Sequence, residues 1–526
     1  MAVIERNQAK VERLIRKGHD VNDTFSPPFS PLCFAVGWNA GAKLLLRAGA
    51  DPSTAIHWAI VYEDELTLRD ILHSGSRLFA SPSTSRIKGL WNHCWRYESV
   101  LGFVLWRQSV QGSISPTFAH LIVGAVADSR RKLMDLSQKY MSLQELKKCG
   151  WVDPPNQGLV SDAVATELAR SLLELKISVP EGLWPSGKQS IYHEEQMTAA
   201  AADDLFKAGF QAVDLEDKEG WTPLLRNAWF SWWSHWQRRK LYLQQRIACI
   251  YWFLQHGGAR VVFPNLNGIS VAHVIGAYLG HTWRLGWSRE HVWKEDNQEL
   301  CQEAELHLSP VLDRVFSLIS TSQRDDCQCF CSENGCLPVH ALLSNMRLNS
   351  FSESWPGTLW PTWTDEQELL RMWRICAASN PLSELELFEV CRYQIFNRLG
   401  MRHTCCASWS IGKQRLFQFQ TMEESEKHEI REEDAYAKSQ LDAFTLLYQE
   451  LNAKYYDRFT KLWDMWWDVL EEYLPSVNWT NPFSNLGMRH IQIHDDLVPI
   501  EEHELPLRLD QIKERIATAM ELVSEI

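Results

Sequence analysis

A helix ending that recurs along the chain constrains the fold more than any other sequence feature. In residues 11–22 apolar side chains at helical spacing lead into Gly18, and the same pattern returns in residues 44–53, where Gly49 follows a run of leucines. Glycine after the last helical residue is a typical C-terminal signal, because it adopts the left-handed conformation at little cost. A spacing of about 30 residues between the copies indicates stacked repeats.

Helix starts lie between these endings. Ser30 followed by Pro31 predicts a helix start, because proline fits the first helical position, and residues 54–59 begin another helix. The starts and ends together resemble ankyrin repeats, whose signature is Thr-Pro-Leu-His-x-Ala and, later, Leu-Leu-x-x-Gly-Ala-Asp. The best match is residues 217–224, with its helix end at 251–259, and further starts lie at 265–273 and 333–343.

The resemblance implies a mainly α fold. We expect α-solenoid-like stacks of divergent ankyrin-type helical pairs with helical inserts and a helical C-terminal region, since each pair completes the core of its neighbour. The histidine of the start motif normally hydrogen-bonds within the scaffold, so a structural role is expected for His57, His273 and His340.

The match to the repeat signature is discontinuous along the chain. The expected segments are divergent repeats over 1–80, a helical insert over 81–190, a second stack ending in a cysteine-rich loop over 191–350, a helical region with a long amphipathic helix (435–473) over 351–475, and an irregular segment with a last helix over 476–526.

Composition limits the possible environments and partners. The chain has 526 residues, 45% of them hydrophobic and 23% charged, which is typical of a folded protein. The net charge of −13 argues against nucleic acid and anionic membranes as partners. The N-terminus has no apolar signal-peptide region, and no apolar stretch reaches the length of a membrane span, so we expect an intracellular protein, cytoplasmic or nuclear, without membrane insertion. Its 13 cysteines would then be mostly thiols or metal ligands.

Two cysteine-rich segments are the candidate metal site. Alternation in the first segment would place three thiols on one side of an extended chain, with a fourth cysteine and a histidine soon after. The candidate ligands are Cys327, Cys329, Cys331, Cys336 and His340, with His403, Cys405 and Cys406 in the second segment. Thiolates and imidazoles suit tetrahedral zinc, although the spacing is not the paired Cys-x-x-Cys of common zinc modules. Structural zinc, buried packing thiols and a reactive thiol all remain open.

The two segments also form a recognisable pair. A Cys-x-Cys-x-Cys-Ser-x-x-Gly-Cys-x-Pro loop followed by Leu-Gly-x-x-His-Thr-Cys-Cys, here residues 327–338 and 399–406, resembles a pair that recurs in fungal ankyrin-type proteins. The resemblance implies that the two segments meet in space.

Motifs of common enzymes are missing from the sequence. We find no phosphate-binding Gly-x-x-x-x-Gly-Lys-Ser/Thr, no dinucleotide-binding Gly-x-Gly-x-x-Gly after a strand, no Gly-x-Ser-x-Gly elbow and no His-Glu-x-x-His helix. The sequence therefore favours a non-enzymatic scaffold that binds another protein, through repeat surfaces with exposed Trp or Arg as hot spots. The alternative is a metal- or thiol-dependent enzyme centred on the cysteine-rich loop.

Overall fold

The structure is a computed structural model that forms two compact units, Met1–Val261 and Val262–Ile526. It describes residues 1–23, 29–53, 55–76, 78–79, 99–111, 115–151, 158–185, 190–194, 196–230, 239–263, 268–277, 318–319, 323–332, 334–347, 384–399, 401, 404, 409–411, 417–419, 423–455, 462, 465–466, 469, 473 and 504–522. This part of the chain is mainly helical, as predicted. The boundary between the units lies inside the predicted stack over 191–350.

The first unit is built from short helices joined by turns. Its described helices are α1 (Gln8–Arg16), α2 (Pro31–Phe34), α3 (Asn39–Arg47), α4 (Ala55–Val61), α5 (Glu65–His73), α6 (Val100–Gln111), α7 (Pro116–Tyr140), α8 (Leu143–Lys148), α9 (Asp162–Glu174), α10 (Ala199–Ala208), α11 (Pro223–Phe230) and α12 (Arg239–Gln255), with 3₁₀ turns at Glu181–Leu183 and Ile191–His193.

Local sequence signals set the ends of these helices. The Asn7 side chain caps α1 by accepting the Lys10 N–H, and the Asp64 side chain caps α5 in the same way. Such caps satisfy N–H groups that have no partner inside the helix. Gly18 and Gly49, which follow α1 and α3, have φ values of +82° and +89°. The helix ends predicted from glycine therefore form as expected.

Equivalent hydrogen bonds join successive turns at two places in this unit. Asn22 Oδ1 accepts the Asp51 N–H at 2.6 Å, and Asp214 Oδ2 accepts the Ala259 N–H at 2.9 Å. In both cases the acceptor residue follows the end of one helix. The donor residue comes two positions after the glycine that follows a later helix, which is Gly49 for Asp51 and Gly257 for Ala259. Two distant parts of the sequence thus use the same tie between neighbouring turns.

Helix α7 connects the two groups of hairpins. It packs against α5 and α6, which precede it in the sequence, and against α9 and α10, which follow it. Its buried residues, among them Phe118, Ile122, Val126 and Leu133, recur at helical spacing. The helical part of the predicted 81–190 insert is therefore an integral part of this unit's core. Residues 81–98 lie outside the described residues.

The second unit has its own helical core. Its described helices are α13 (residues 271–277), α14 (Pro338–Arg347), α15 (Glu384–Arg398), α16 (Glu424–Glu433), α17 (Ala435–Lys454) and α18 (Leu505–Leu522), and a two-stranded antiparallel sheet pairs β1 (Trp409–Ile411) with β2 (Phe417–Phe419). Helix α17 packs against α15 and α18, and Tyr393, Phe396, Phe444 and Tyr448 are nearly fully buried there.

The amphipathic helix predicted over 435–473 differs from the structure. Helix α17 begins at Ala435 as predicted, but it ends at Lys454, and Tyr455 leaves the helical conformation with φ −120°. The rings of Tyr448 and Trp466 are 5.2 Å apart, whereas a continuous helix would separate them by about 27 Å. The chain therefore doubles back between Tyr448 and Trp466, and the rings of these two residues pack against each other. The last helix predicted within 476–526 is present as α18.

Among the described residues, no helix combines the length and apolar character needed to cross a membrane.

Protonation of His57, a half-buried histidine, is expected to weaken the first unit in acid. The ring of His57 lies edge-on to Phe103 with centroids 5.1 Å apart, and its Nδ1 atom is buried. Burial lowers the pKa of His57 to about 4, although a backbone hydrogen bond at Ser53 opposes the shift. An unfolded histidine has a pKa near 6.5, so below that pH the unfolded chain binds a proton that the folded chain does not. The stabilisation is complete above about pH 6.5 and is lost as the pH falls towards 4.

Urea unfolding of the wild type and His57→Gln between pH 7.5 and 4.5 measures this loss. We expect the wild type to lose up to about 1.4 kcal/mol per pH unit more than the variant in this window. Parallel pH profiles for the two proteins would contradict the assignment.

Candidate functional site

An aspartate closes the turn before α11. The Asp217 N–H donates to the Trp221 carbonyl at 2.8 Å, and Asp217 Oδ1 accepts the N–H groups of Trp221 and Glu219 at 3.0 and 2.9 Å. Gly220 has φ +79°, which allows the chain to turn back towards the helix start. This turn belongs to the segment with the best match to the ankyrin signature.

The cysteine-rich loop repeats this turn in an enlarged form. The Asp325 N–H donates to the Cys336 carbonyl at 3.1 Å, and Asp325 Oδ1 accepts the N–H groups of Cys336 and Cys327 at 2.6 and 3.1 Å. Cys336 lies 11 residues after Asp325, whereas Trp221 lies four residues after Asp217. Gly335, with φ +96°, takes the place of Gly220. The extra residues carry Cys327, Cys329 and Cys331.

Three candidate ligands converge at the base of this loop. A carboxylate oxygen of Asp325 and the sulfurs of Cys327 and Cys336 all lie within 4.8 Å of one another. The sulfur of Cys331 lies 3.6 Å from that of Cys336. Four sulfurs at about 2.3 Å from a tetrahedral zinc ion would lie about 3.8 Å apart, while a disulfide needs about 2.05 Å. The cluster can therefore hold a metal ion.

Burial and hydrogen bonding of these residues favour their use as metal ligands. Asp325, Cys331 and Cys336 are buried, whereas Cys327 is half-buried. The Cys329 N–H donates to Cys327 Sγ at 3.3 Å. A backbone N–H aimed at a sulfur stabilises negative charge on it, which suits the thiolate form that binds metals. All eight cysteines in the described part of the chain are thiols and not disulfides.

The other predicted ligands have different positions. Cys329 and Cys331 are buried but lie outside the three-ligand group, although Cys331 is next to Cys336. His340 Nδ1 accepts the Leu337 N–H at 2.8 Å, and its Nε2 lies 3.2 Å from the Glu389 carbonyl. Both ring nitrogens of His340 therefore make hydrogen bonds to the backbone. His403, Cys405 and Cys406 lie outside the described residues.

Three histidines make the same kind of contact between successive elements. His193 Nε2 lies 3.1 Å from the Trp221 carbonyl, His273 Nε2 lies 2.8 Å from the Cys336 carbonyl, and His340 Nε2 reaches the Glu389 carbonyl. A carbonyl can only accept, so each histidine donates from Nε2. In His273 and His340, Nδ1 accepts a backbone N–H three residues earlier. These contacts fit the structural role expected for His273 and His340.

Charged residues fix the loop to the helices that follow it. The Arg392 Nε–H donates to the Phe330 carbonyl at 3.1 Å, and the Lys438 ammonium lies 5.7 Å above the centre of the Phe330 ring. Both cations also contact Asp442, Arg392 at 2.9 Å and Lys438 at 2.6 Å. On the other side of the loop, Arg324 forms a 2.8 Å ion pair with the buried Glu389. The loop is thus attached to α15 and α17.

The sequence does not single out Asp325 as a candidate ligand. Aspartates are common in turns, and the predicted ligands were only thiols and imidazoles. The available signal was the parallel with Asp217, since both precede a glycine and the Pro that starts a helix. That parallel identifies Asp325 as the residue that closes the turn, and its carboxylate then necessarily lies beside Cys336.

A second candidate site is an aromatic surface on the first hairpins. We use "aromatic surface" for Phe29, Phe34, Trp58 and Tyr62. The Phe29 ring lies 5.9 Å from Phe34 and 5.4 Å from Trp58, and the Trp58 and Tyr62 rings stack at 5.6 Å. Phe34 is 40% exposed and Tyr62 is 66% exposed. The rings form a row that crosses from α2 to α4.

No protein-family model matches the chain, and no curated protein matches it.

Proposed function

We propose that this chain is a scaffold that binds another protein through ankyrin-like helical hairpins, and that the turn closed by Asp325 holds a structural zinc ion. One observation carries the scaffold proposal. The ties from Asn22 to Asp51 and from Asp214 to Ala259 join successive turns in the same way, as expected for stacked repeats. Stacked repeats present an extended surface of helices and turns, on which a partner can bind.

The aromatic surface is the proposed contact for the partner. Aromatic residues dominate binding energy in protein interfaces, because they bury a large area with few rotatable bonds. Tyr62 and Phe34 expose much of their area to solvent, while the half-buried Phe29 and Trp58 contact them. The net charge of −13 favours a neutral or basic partner, and aromatic faces also accept Arg and Lys side chains.

Quantitative affinity capture from native cells tests this function. We expect the wild-type chain to recover a specific protein in near-stoichiometric amount, and the double variant Phe34→Ala/Tyr62→Ala to recover it at least about tenfold less, which corresponds to about 1.4 kcal/mol of binding energy. Tyr140→Ala is the matched control, because Tyr140 is 45% exposed on α7, away from this surface. Recovery of chaperones alone, or equal recovery by the double variant, would contradict the proposal.

The zinc proposal rests on the convergence of Asp325, Cys327 and Cys336, with the sulfur of Cys331 beside that of Cys336. Thiolates bind zinc well, and a carboxylate is an accepted fourth ligand. The buried position of most of these groups favours a structural role over a catalytic one, since a catalytic metal keeps a position open to substrate or water. Elemental analysis should find about one zinc per chain in the purified wild type, and much less in Cys336→Ser.

A further inference from the structure

The thiols of the cysteine-rich loop differ in their exposure. Cys329, Cys331 and Cys336 are 2%, 0% and 3% exposed, whereas Cys327 is half-buried and reaches the surface. Oxidation of cysteine depends on access and on the thiolate form. A small oxidant that approaches the loop from solvent therefore meets Cys327 first.

Cys327 lies beside the other groups of the cluster. Its sulfur accepts the Cys329 N–H at 3.3 Å, and it lies within 4.8 Å of a carboxylate oxygen of Asp325 and of the Cys336 sulfur. The accessible thiol of the loop is therefore next to a buried one.

We propose that Cys327 and Cys336 are a peroxide-sensitive thiol pair, and that their oxidation to a disulfide releases the metal. The sulfurs of the two residues lie within 4.8 Å of each other, at opposite ends of the turn that Asp325 closes. The release of metal rests on the zinc centre proposed above, whereas formation of the disulfide does not.

The reaction consumes one hydrogen peroxide. The Cys327 thiolate attacks one peroxide oxygen, the O–O bond breaks, and the departing hydroxide takes up a proton to give water and a Cys327 sulfenic acid. The sulfur of Cys336 then attacks the sulfur of Cys327, the S–O bond breaks, and the departing hydroxide takes up a second proton from solvent to give the second water. Two electrons, one from each sulfur, and two protons thus convert one peroxide to two waters.

Disulfide formation is incompatible with the zinc centre. A disulfide brings the two sulfurs to about 2.05 Å and removes both as thiolate ligands. Of the three converging groups only Asp325 then remains, and one carboxylate with the neighbouring Cys331 does not hold structural zinc, which takes four ligands. A dithiol reductant restores both thiolates, so the metal can bind again.

Treatment of the zinc-loaded full chain with hydrogen peroxide tests the proposal. Zinc release is followed with a chromogenic chelator, and the disulfides are mapped by mass spectrometry. We expect release of about one zinc per chain, a Cys327–Cys336 disulfide, and reversal by dithiothreitol. In Cys336→Ser the sulfenic acid has lost its partner, so dimedone should label Cys327 in this variant. Cys149→Ser, which changes a buried cysteine of the first unit, should react as the wild type does.

Each outcome has a distinct meaning. A Cys331–Cys336 disulfide, or Cys327 that stays unmodified by both peroxide and dimedone, would overturn the proposed pair. A wild type that forms the Cys327–Cys336 disulfide but carries no zinc before oxidation would overturn the zinc centre and the release step, and would leave the thiol pair supported.

Discussion

Replacing Arg130 with Met is expected to lower the free energy of unfolding of the first unit by about 3–5 kcal/mol. Arg130 forms an ion pair with Asp162, and both side chains are almost completely buried. Its other guanidinium nitrogen donates to the Val160 carbonyl at 2.6 Å, and the group lies 5.5 Å from the centre of the Phe210 ring. Without the arginine, the Asp162 carboxylate remains buried with no cation to balance it, which is the costly part of the change.

Chemical denaturation followed by circular dichroism measures this loss. The matched control is Arg131→Met, because the ion pair of Arg131 with Asp128 is exposed and such pairs contribute less than about 1 kcal/mol. Arg130→Met/Asp162→Leu should recover part of the loss, since it removes both charges together. An Arg130→Met protein as stable as Arg131→Met would show that the buried pair does not hold α7 to α9.

Removal of the metal is expected to destabilise the second unit by about 4 kcal/mol when free zinc had been at roughly 1,000 times its dissociation constant. The zinc is proposed to join both ends of the loop, and the loop is attached to α15 and α17 through Phe330. Loss of the metal therefore weakens the contact of the loop with these helices. Thermal unfolding with and without a strong chelator measures the change.

The two related turns provide a matched pair of variants. Asp325→Asn keeps an Oδ1 acceptor for the backbone N–H groups of the turn but removes the anionic ligand. Asp217→Asn makes the same change in a turn that has no thiols at positions 218–221. We expect weaker zinc binding and a smaller effect of the chelator in Asp325→Asn, and no such change in Asp217→Asn. Equal zinc affinity in both variants would argue against Asp325 as a ligand.

Local signals in the sequence were sufficient for the helix ends. Gly18, Gly49 and the Ser30–Pro31 start depend on the conformation of a few adjacent residues, so their pattern predicts the structure directly. The reversal after Lys454 was not predictable in this way. The apolar pattern of 435–473 continues through the turn, because both segments bury apolar faces, and only the contact of Tyr448 with Trp466 reveals that they are two separate segments.

The candidate metal site was also predicted only in part from the sequence. The sequence identified the cysteines, since their density is unusual, and it predicted Cys327, Cys329 and Cys331 on one side of an extended chain. In the structure Cys327 lies in the three-ligand group, Cys331 lies outside this group but 3.6 Å from the Cys336 sulfur, and Cys329 lies outside the group. The difference arises because the loop is a closed turn and not an extended chain. Both ring nitrogens of His340 make hydrogen bonds to the backbone, as expected for the histidine of the helix-start motif.

The loop from Asp325 to Cys336 is proposed to be a repeat turn enlarged around a metal ion. X-ray absorption spectroscopy of the zinc-loaded chain tests this proposal most directly, because the spectrum reports the type and distance of the atoms around zinc. We predict a four-coordinate shell with sulfur at about 2.3 Å and an oxygen at about 2.0–2.2 Å, and loss of the oxygen contribution in Asp325→Ala. A shell of oxygen and nitrogen atoms without sulfur, or a wild-type chain that takes up no zinc, would contradict the claim.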